Sequence, residues 1–383
     1  MSSNTDSTEV AALADQVRSA RAGGRTLRIV GAGSWLTAGR PCDDSERLEI
    51  GALTGIVTYE PGDLTLTARA GTSLAEIQRV TAAEGQWLPL QPMGAQTGTL
   101  GATVATSSYG PLASAYGTPR DQVLGCEFVS GTGDMVRAGG RVVKNVAGFD
   151  LVRLVTGAWG TLGALTELTV RLRARPEVDH TVAVQLAAPD GDVATAAWRW
   201  LRESEHEPLA AELLSPSLAR SLLLGSDACL LVRLAGNEPF VRAAGDDVRS
   251  LGEAMRSDVE AWHRLACSEP SASIVVRLSA LPSRVGALWT RASAVAERCG
   301  GFAHATVSRG LVRCVIPDAG EDSVSLDAMR ELVGSDSLIA ERVPAAWWRL
   351  FAKTRPTDAL SLGVRRAFDP GRIMNPGILG DSP

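Results

Sequence analysis

The sequence predicts an α+β protein with two domains, and three observations predict it. Short β-branched runs separated by glycines fill residues 99–173 with few helices between them, which is not a regular βαβ repeat. At Arg175-Pro176 the composition changes, and an Ala- and Leu-rich stretch follows in which helical and extended segments interleave. A chain of 383 residues is long enough to bury two cores.

Element by element, Val10, Leu13, Val17 and Ala20 recur at helical spacing over 8–22, and Gly23-Gly24 stops that helix. Leu27 to Val30 is a short strand that feeds into Gly31-Ala32-Gly33-Ser34. The runs LEI, GIVTYE and LTLTARAG read as three more strands. Residues 73–84 form an amphipathic helix with Ser73 as N-cap and Gly85 as its stop. VLGCEFVS, DMVRAGG and GALTELTVRLR are the clearest strands of the glycine-rich region. Beyond Pro176, helices are expected at 192–204, 239–256 and 282–298, with strands at ACLLVRLAG, SIVVRLSA and LVRCVIP. Residues 345–383 hold a helical Trp347-Trp348 segment and then RRAFDPGRIMNPGIL.

Composition excludes several functions. A net charge of −5 with no basic block argues against nucleic-acid binding. Four histidines rule out a His-rich metal array, and no pair among six cysteines has C-x-x-C spacing, so no metal or iron–sulfur site is expected in this chain. Scattered thiols in a chain of this size read as reduced cysteines, not a disulfide framework. The start, MSSNTDSTEV, has no basic or apolar signal region, and no apolar run approaches the ~20 residues that span a bilayer. The expectation is a cytoplasmic protein that meets a membrane only through partners.

Fourteen of the 39 glycines lie between Gly94 and Gly163, under a fifth of the length, so this region is built for close backbone approach. Three clusters stand out. Arg28-Ile29-Val30-Gly31-Ala32-Gly33-Ser34 runs a strand into G-x-G, which presents amides to a pyrophosphate or is an ordinary tight turn. A nicotinamide-binding Rossmann turn would need a third glycine and a helix to follow. Leu36 takes the glycine's place and Gly39 and Pro41 break the helix, although Glu49 stands near the usual acidic spacing. The second cluster joins Pro92 and Gly94 to Thr99-Leu100-Gly101-Ala102 and Thr106-Ser107-Ser108-Tyr109-Gly110, whose N–H and O–H donors suit a phosphate chain. The third, Gly160-Thr161-Leu162-Gly163-Ala164-Leu165, opens a strand whose backbone can pair with a ring edge. The combined spacing points to a flavin dinucleotide before a nicotinamide one.

In this order the clusters, with GGRVVKNVAGFDL between the second and third, resemble the FAD-binding domain of the vanillyl-alcohol oxidase and p-cresol methylhydroxylase (PCMH) type. Within that group, residues 139–176 look like the E subunit of bacterial glycolate oxidase. The closing FDPGRIMNPG looks like that of the glycolate oxidase and D-lactate dehydrogenase branch. The resemblance is strong over about 25–175 and 365–378 and weak between. It implies a two-lobed PCMH-type FAD-binding domain at 1–175, a smaller α+β cap at 176–335, and a segment, 336–383, that returns to the FAD domain. It also implies that Gly31 to Trp35 is the first pyrophosphate loop, that Thr99 to Ala102 and Thr106 to Gly110 are the second, and that Gly160 to Leu165 runs beside the flavin. Asn375 and Gly377 would cover the FAD domain. The implied activity is hydride transfer from a small 2-hydroxy acid to FAD. A paralogous flavin subunit and an iron–sulfur subunit are the implied partners.

Two departures shape the expectation. Covalent members of the group carry a His in the first loop or a Cys in the second. Here Ser34 stands in the first and no Cys lies between Gly94 and Gly125, so FAD is expected to be non-covalent. Cys126 reads as a core thiol. Relatives that oxidise 2-hydroxy acids often have a histidine cluster in the cap, and here only His304 is available, with Arg309 five residues on. Those two could hold a carboxylate, or be a strand histidine and a solvated arginine. Lys144 could stabilise an anionic reduced flavin, or be a surface lysine.

Overall fold

The computed structural model describes residues 3–42, 44–94, 97–140, 149–186, 192–317, 323–333, 337–351 and 359–380. The chain divides into two compact units, one of 1–109, 116–175 and 353–383, the other of 110–115 and 176–352.

The first unit begins with helix α1, Ser3–Ala22. Its Val10, Leu13, Val17 and Ala20 pack with Leu48, Val129 and Met374 in a core of their own. Strands β1, Leu27–Val30, and β2, Glu46–Glu49, pair in parallel. An antiparallel sheet follows from β3 (Ile56–Glu60), β4 (Thr65–Arg69), β6 (Val123–Ser130), β7 (Met135–Gly139) and β8 (Gly163–Arg171), in the order β3-β4-β8-β6-β7. Short β5 (Gln86–Trp87) and β9 (Arg173–Ala174) pair beside it. Helix α2, Leu74–Ala82, is capped as its sequence requires: the Ser73 side chain accepts the Glu76 N–H. Leu74 and Ile77 of α2 join Leu66, Phe128, Leu165 and Leu168 in the sheet's core.

Of the stretches expected as a phosphate-wrapping loop, Thr99 to Ala102 and Thr106 to Gly110, residues 100–102 and 106 fall inside helix α3, Leu100–Thr106. Thr99 caps it, and Leu100 and Val104 are buried against the sheet. Glycine and β-branched residues hid a helix whose stability comes from burial, not propensity.

The second unit is an eight-stranded antiparallel sheet: β10 (Val178–Gln185), β11 (Ala210–Leu214), β12 (Cys229–Gly236), β13 (Glu253–Ser257), β14 (Ser273–Ser279), β15 (Phe302–Thr306), β16 (Leu311–Pro317) and β17 (Ser337–Arg342). Their order is β13-β10-β12-β11-β15-β16-β14-β17. Helices Val193–Glu203, Glu238–Arg249 and Val285–Arg298 bury Val193, Val248 and Leu288 against one face. The helix expected over 239–256 ends at Arg249, and β13 follows as an edge strand. The boundary expected at 335 falls inside this unit. β17 pairs with β14, and Trp347, Trp348 and Phe351 pack into the same core.

Candidate cofactor site

The first unit holds an open cleft at the end of β1. Its floor is the end of β1, its walls are the loop after β1, one face of α3 and the turn before β8, and Asn375 and Ile378 close it.

After Val30 the chain makes turns and bends to residue 40, with no helix after Gly33, which removes the nicotinamide Rossmann alternative. Gly31, Ala32, Gly33, Ser34 and Trp35 all line the cleft. Gly33 has a left-handed φ of 81°. Among the described residues nothing accepts a hydrogen bond from the N–H groups of 31–35. A run of unpartnered amides turned around a left-handed glycine is a concave anion site. Arg28 also lines the cleft, its Nη2 3.3 Å from the Trp35 carbonyl oxygen, and supplies a positive charge.

The second cluster behaves differently. The Leu100 N–H donates to Thr72 O (2.9 Å) and the Gly101 N–H to Ala70 O (2.8 Å), while the Ala102 N–H donates to Thr99 Oγ1 (3.1 Å). These amides are bound within the protein, so they do not wrap a phosphate. Leu100 belongs to the core and Thr99 is the cap. What α3 offers instead is a face of small residues, Gly101, Ala102, Ala105 and Thr106, along the cleft. Pro92, Gly94 and Ser107 are not on its wall, and Gly110 belongs to the second unit.

From the third cluster, Gly160, Gly163 and Leu165 reach the cleft, whereas Thr161 and Ala164 are buried behind it. The turn is tied to α3 by hydrogen bonds from the Gly157 N–H to Val104 O (3.0 Å) and the Trp159 N–H to Ala105 O (2.8 Å). The end of the chain lies against β1: Leu27 and Met374 form a parallel bridge, and the Asn375 N–H donates to Leu27 O (2.8 Å). The Asn375 side chain accepts the Ile29 N–H at Oδ1 (2.8 Å) and donates from Nδ2 to Trp159 O (2.6 Å). Its amide is a tie between β1 and the turn. Arg28 and Ile29, read in the sequence only as the strand leading into the first cluster, also line the cleft, as do Ala105, Trp159 and Ile378. A charge in a short strand and an indole flanked by glycines were the available signals.

These residues fit a dinucleotide flavin. An amide nest with a nearby guanidinium suits a diphosphate, and apolar walls with a helix face lacking bulky side chains suit a flat ring. No lining residue is His or Cys, so nothing on the wall offers the linkage that covalent members use. Cys126 lies in β6, 7% exposed, and burial pushes its thiol up to about 12, as a core thiol should behave.

Lys144 is outside the described residues. His304 is on β15 of the second unit, 2% exposed, with Nδ1 2.5 Å from Glu212 Oε1. Thr306 Oγ1 donates to the other carboxylate oxygen at 2.8 Å. Arg309 sits on the exposed turn after β15, its Nη1 donating to Ala113 O at 3.1 Å. The histidine is thus an interior residue held by a carboxylate, and the arginine faces a backbone carbonyl.

Comparison with known proteins agrees with this geometry. Residues 7–139 of this α+β fold match the FAD binding domain family. It is 36% identical over 234 residues to glycolate oxidase subunit GlcE of Escherichia coli, covering 61% of this chain and 62% of that one. Over 127 residues it is 36% identical to glycolate oxidase subunit GlcD of Bacillus subtilis, covering 33% of this chain and 27% of that one. The chain thus spans less than two thirds of either relative's length. An uncharacterized FAD-linked oxidoreductase of Mycobacterium tuberculosis, Rv2280, is 25% identical over 97% of this chain and 89% of its own. Among solved structures, alkyldihydroxyacetonephosphate synthase superposes with a TM-score of 0.68 at 16% identity, over 95% of this chain and 74% of that one, which speaks to the fold alone.

Proposed function

We propose that this chain is the FAD-binding subunit of a 2-hydroxy-acid oxidoreductase of the glycolate or D-lactate type that passes electrons to a partner. One observation carries the reading: a cleft with an amide nest, built on a chain whose relatives include two glycolate oxidase subunits. Bound FAD supplies the hydride acceptor. The chain's own residues bind and shield it. The N–H groups of 31–35 and Arg28 hold the diphosphate, and Ile29, Ile50 and Leu165 keep water from the ring. The clustered thiols that hold an iron–sulfur centre are missing from this sequence, so onward transfer calls for a paralogous flavin subunit and an iron–sulfur subunit. Among the described residues no helix is long and apolar enough to cross a membrane, and any membrane contact would run through those partners.

A second reading is a subunit that keeps the FAD fold for assembly or relay while a paralogous partner binds substrate. The placement of His304 and Arg309 favours it, because one is held by Glu212 and the other faces Ala113 O. Anaerobic mixing of the purified, FAD-loaded chain with glycolate, and separately with D-lactate, separates the two. Bleaching of the flavin in the isolated chain is the expected result for a catalytic subunit. Bleaching only after the paralogous partner is added supports the relay subunit, and none in either case rejects 2-hydroxy acids as substrates.

A further inference from the structure

Two tryptophans meet on the cleft wall. Trp35 and Trp159 contact edge to face, with ring centroids 5.6 Å apart and planes at 88°. Both line the cleft and both are half-buried. Trp159 has a left-handed backbone, φ 52°, which a side chain with a Cβ disfavours. Its neighbours Gly157 and Gly160 take the same region, φ 79° and 71°, without that cost. A third glycine would serve this turn better, yet the chain places an indole there.

Hydrogen bonds on both sides hold the strained residue. The Trp159 N–H donates to Ala105 O at 2.8 Å, and Trp159 O accepts from Asn375 Nδ2 at 2.6 Å. Asn375 is 4% exposed and is fixed in turn by Ile29 and Leu27. Among the described residues, neither indole belongs to the two hydrophobic cores of the first unit given above. Backbone strain that the surroundings enforce, on a half-exposed aromatic residue, in a cleft that fits a cofactor, points to a ligand.

We infer that Trp35 and Trp159 form an aromatic wall against a ring of bound FAD, and that Asn375 is the positioning residue that sets Trp159 for it. The inference rests on the FAD reading above. Flat π systems pack on indoles face to face or edge to face, and a fixed pair offers that surface with no ordering cost at binding.

The test compares wild type with Trp159→Gly, Trp159→Phe and Asn375→Ala, measuring apoprotein melting temperature, FAD dissociation constant and the visible spectrum of bound flavin. Trp159→Gly should melt within a few degrees of wild type, because it relieves the strained φ. It should bind FAD about ten-fold more weakly or worse, and Trp159→Phe should restore most of the affinity. Asn375→Ala should weaken FAD and shift its absorbance bands, and should add little on the Trp159→Gly background. Loss of FMN affinity in Trp159→Gly assigns the contact to isoalloxazine, and loss of ADP affinity assigns it to adenine. Wild-type FAD affinity in Trp159→Gly overturns the inference, whatever its melting temperature. If Trp159→Gly does not fold, unchanged affinity and spectrum in Asn375→Ala overturn it instead. Wild type that takes up no FAD at all overturns the cofactor reading first and this inference with it.

Discussion

Gly163 lacks a side chain because the protein's own strands press on it. A Cβ there would stand 2.6 Å from both Val129 O and Phe128 Cδ2. Gly101 is similar, with Ala70 Cβ at 2.7 Å. Gly33 is different: a Cβ would meet only Leu36 Cδ1, at 3.6 Å, and the position is constrained by its left-handed φ alone. Gly163→Val is therefore expected to destabilise the apoprotein by about 1–3 kcal/mol through overpacking, with FAD loss following from that. Gly33→Ala should cost about 1–2 kcal/mol of backbone strain and weaken FAD out of proportion, since it distorts the amide nest. Thermal melts of both apoproteins beside FAD titrations check this. A Gly163→Val apoprotein that melts like wild type but binds no FAD would return Gly163 to the ligand. Glycine clusters mark close approach in a sequence, but not whether a strand or a ligand approaches.

At the scale of elements, the C-terminal tail completes the site. Asp369 is fully buried and accepts the Ile373 and Met374 N–H groups at 3.0 and 2.9 Å, which shapes the turn that delivers Asn375 to β1. Desolvation raises the Asp369 carboxyl above the ordinary aspartate range, against the downward pull of those two hydrogen bonds. The folded protein thus holds that proton more readily than the unfolded chain does. The group's contribution favours folding at low pH and is lost as pH rises through its raised pKa. The melting temperature of wild type minus that of Asp369→Asn should be largest in acid and shrink toward neutral pH. A gap that widens with pH would contradict the burial argument. The return of FDPGRIMNPG to the first domain was implied by the family resemblance alone, not by the residues themselves. Helix α3 was not legible, since its Gly101 and its β-branched Thr103, Val104 and Thr106 have weak helix propensity. Nor was β13, because the apolar spacing of the helix before it ran on past Arg249.

Across the whole molecule, the chain divides into two compact units, and the switch between them is visible at Arg175-Pro176 because composition changes there. Its far end was harder to read. β17 and the Trp347-Trp348 turn look like a tail in sequence, yet they finish the second sheet and its core through pairing with a strand some sixty residues earlier. Long-range pairing of that kind leaves no local mark. The cofactor cleft was legible in outline, since the glycine loops named its first wall and the family resemblance implied its closure by the tail. Trp159 and Arg28 needed the fold to bring them together.

The central claim is that the first unit grips FAD through its backbone without a covalent bond. The visible spectrum of the purified chain, taken as isolated, after adding FAD, and again after acid precipitation, tests it most directly. Flavin bands in the folded protein that move entirely to the acid supernatant are the expected result. A colourless protein that takes up no added FAD, or colour that stays in the pellet, would contradict it.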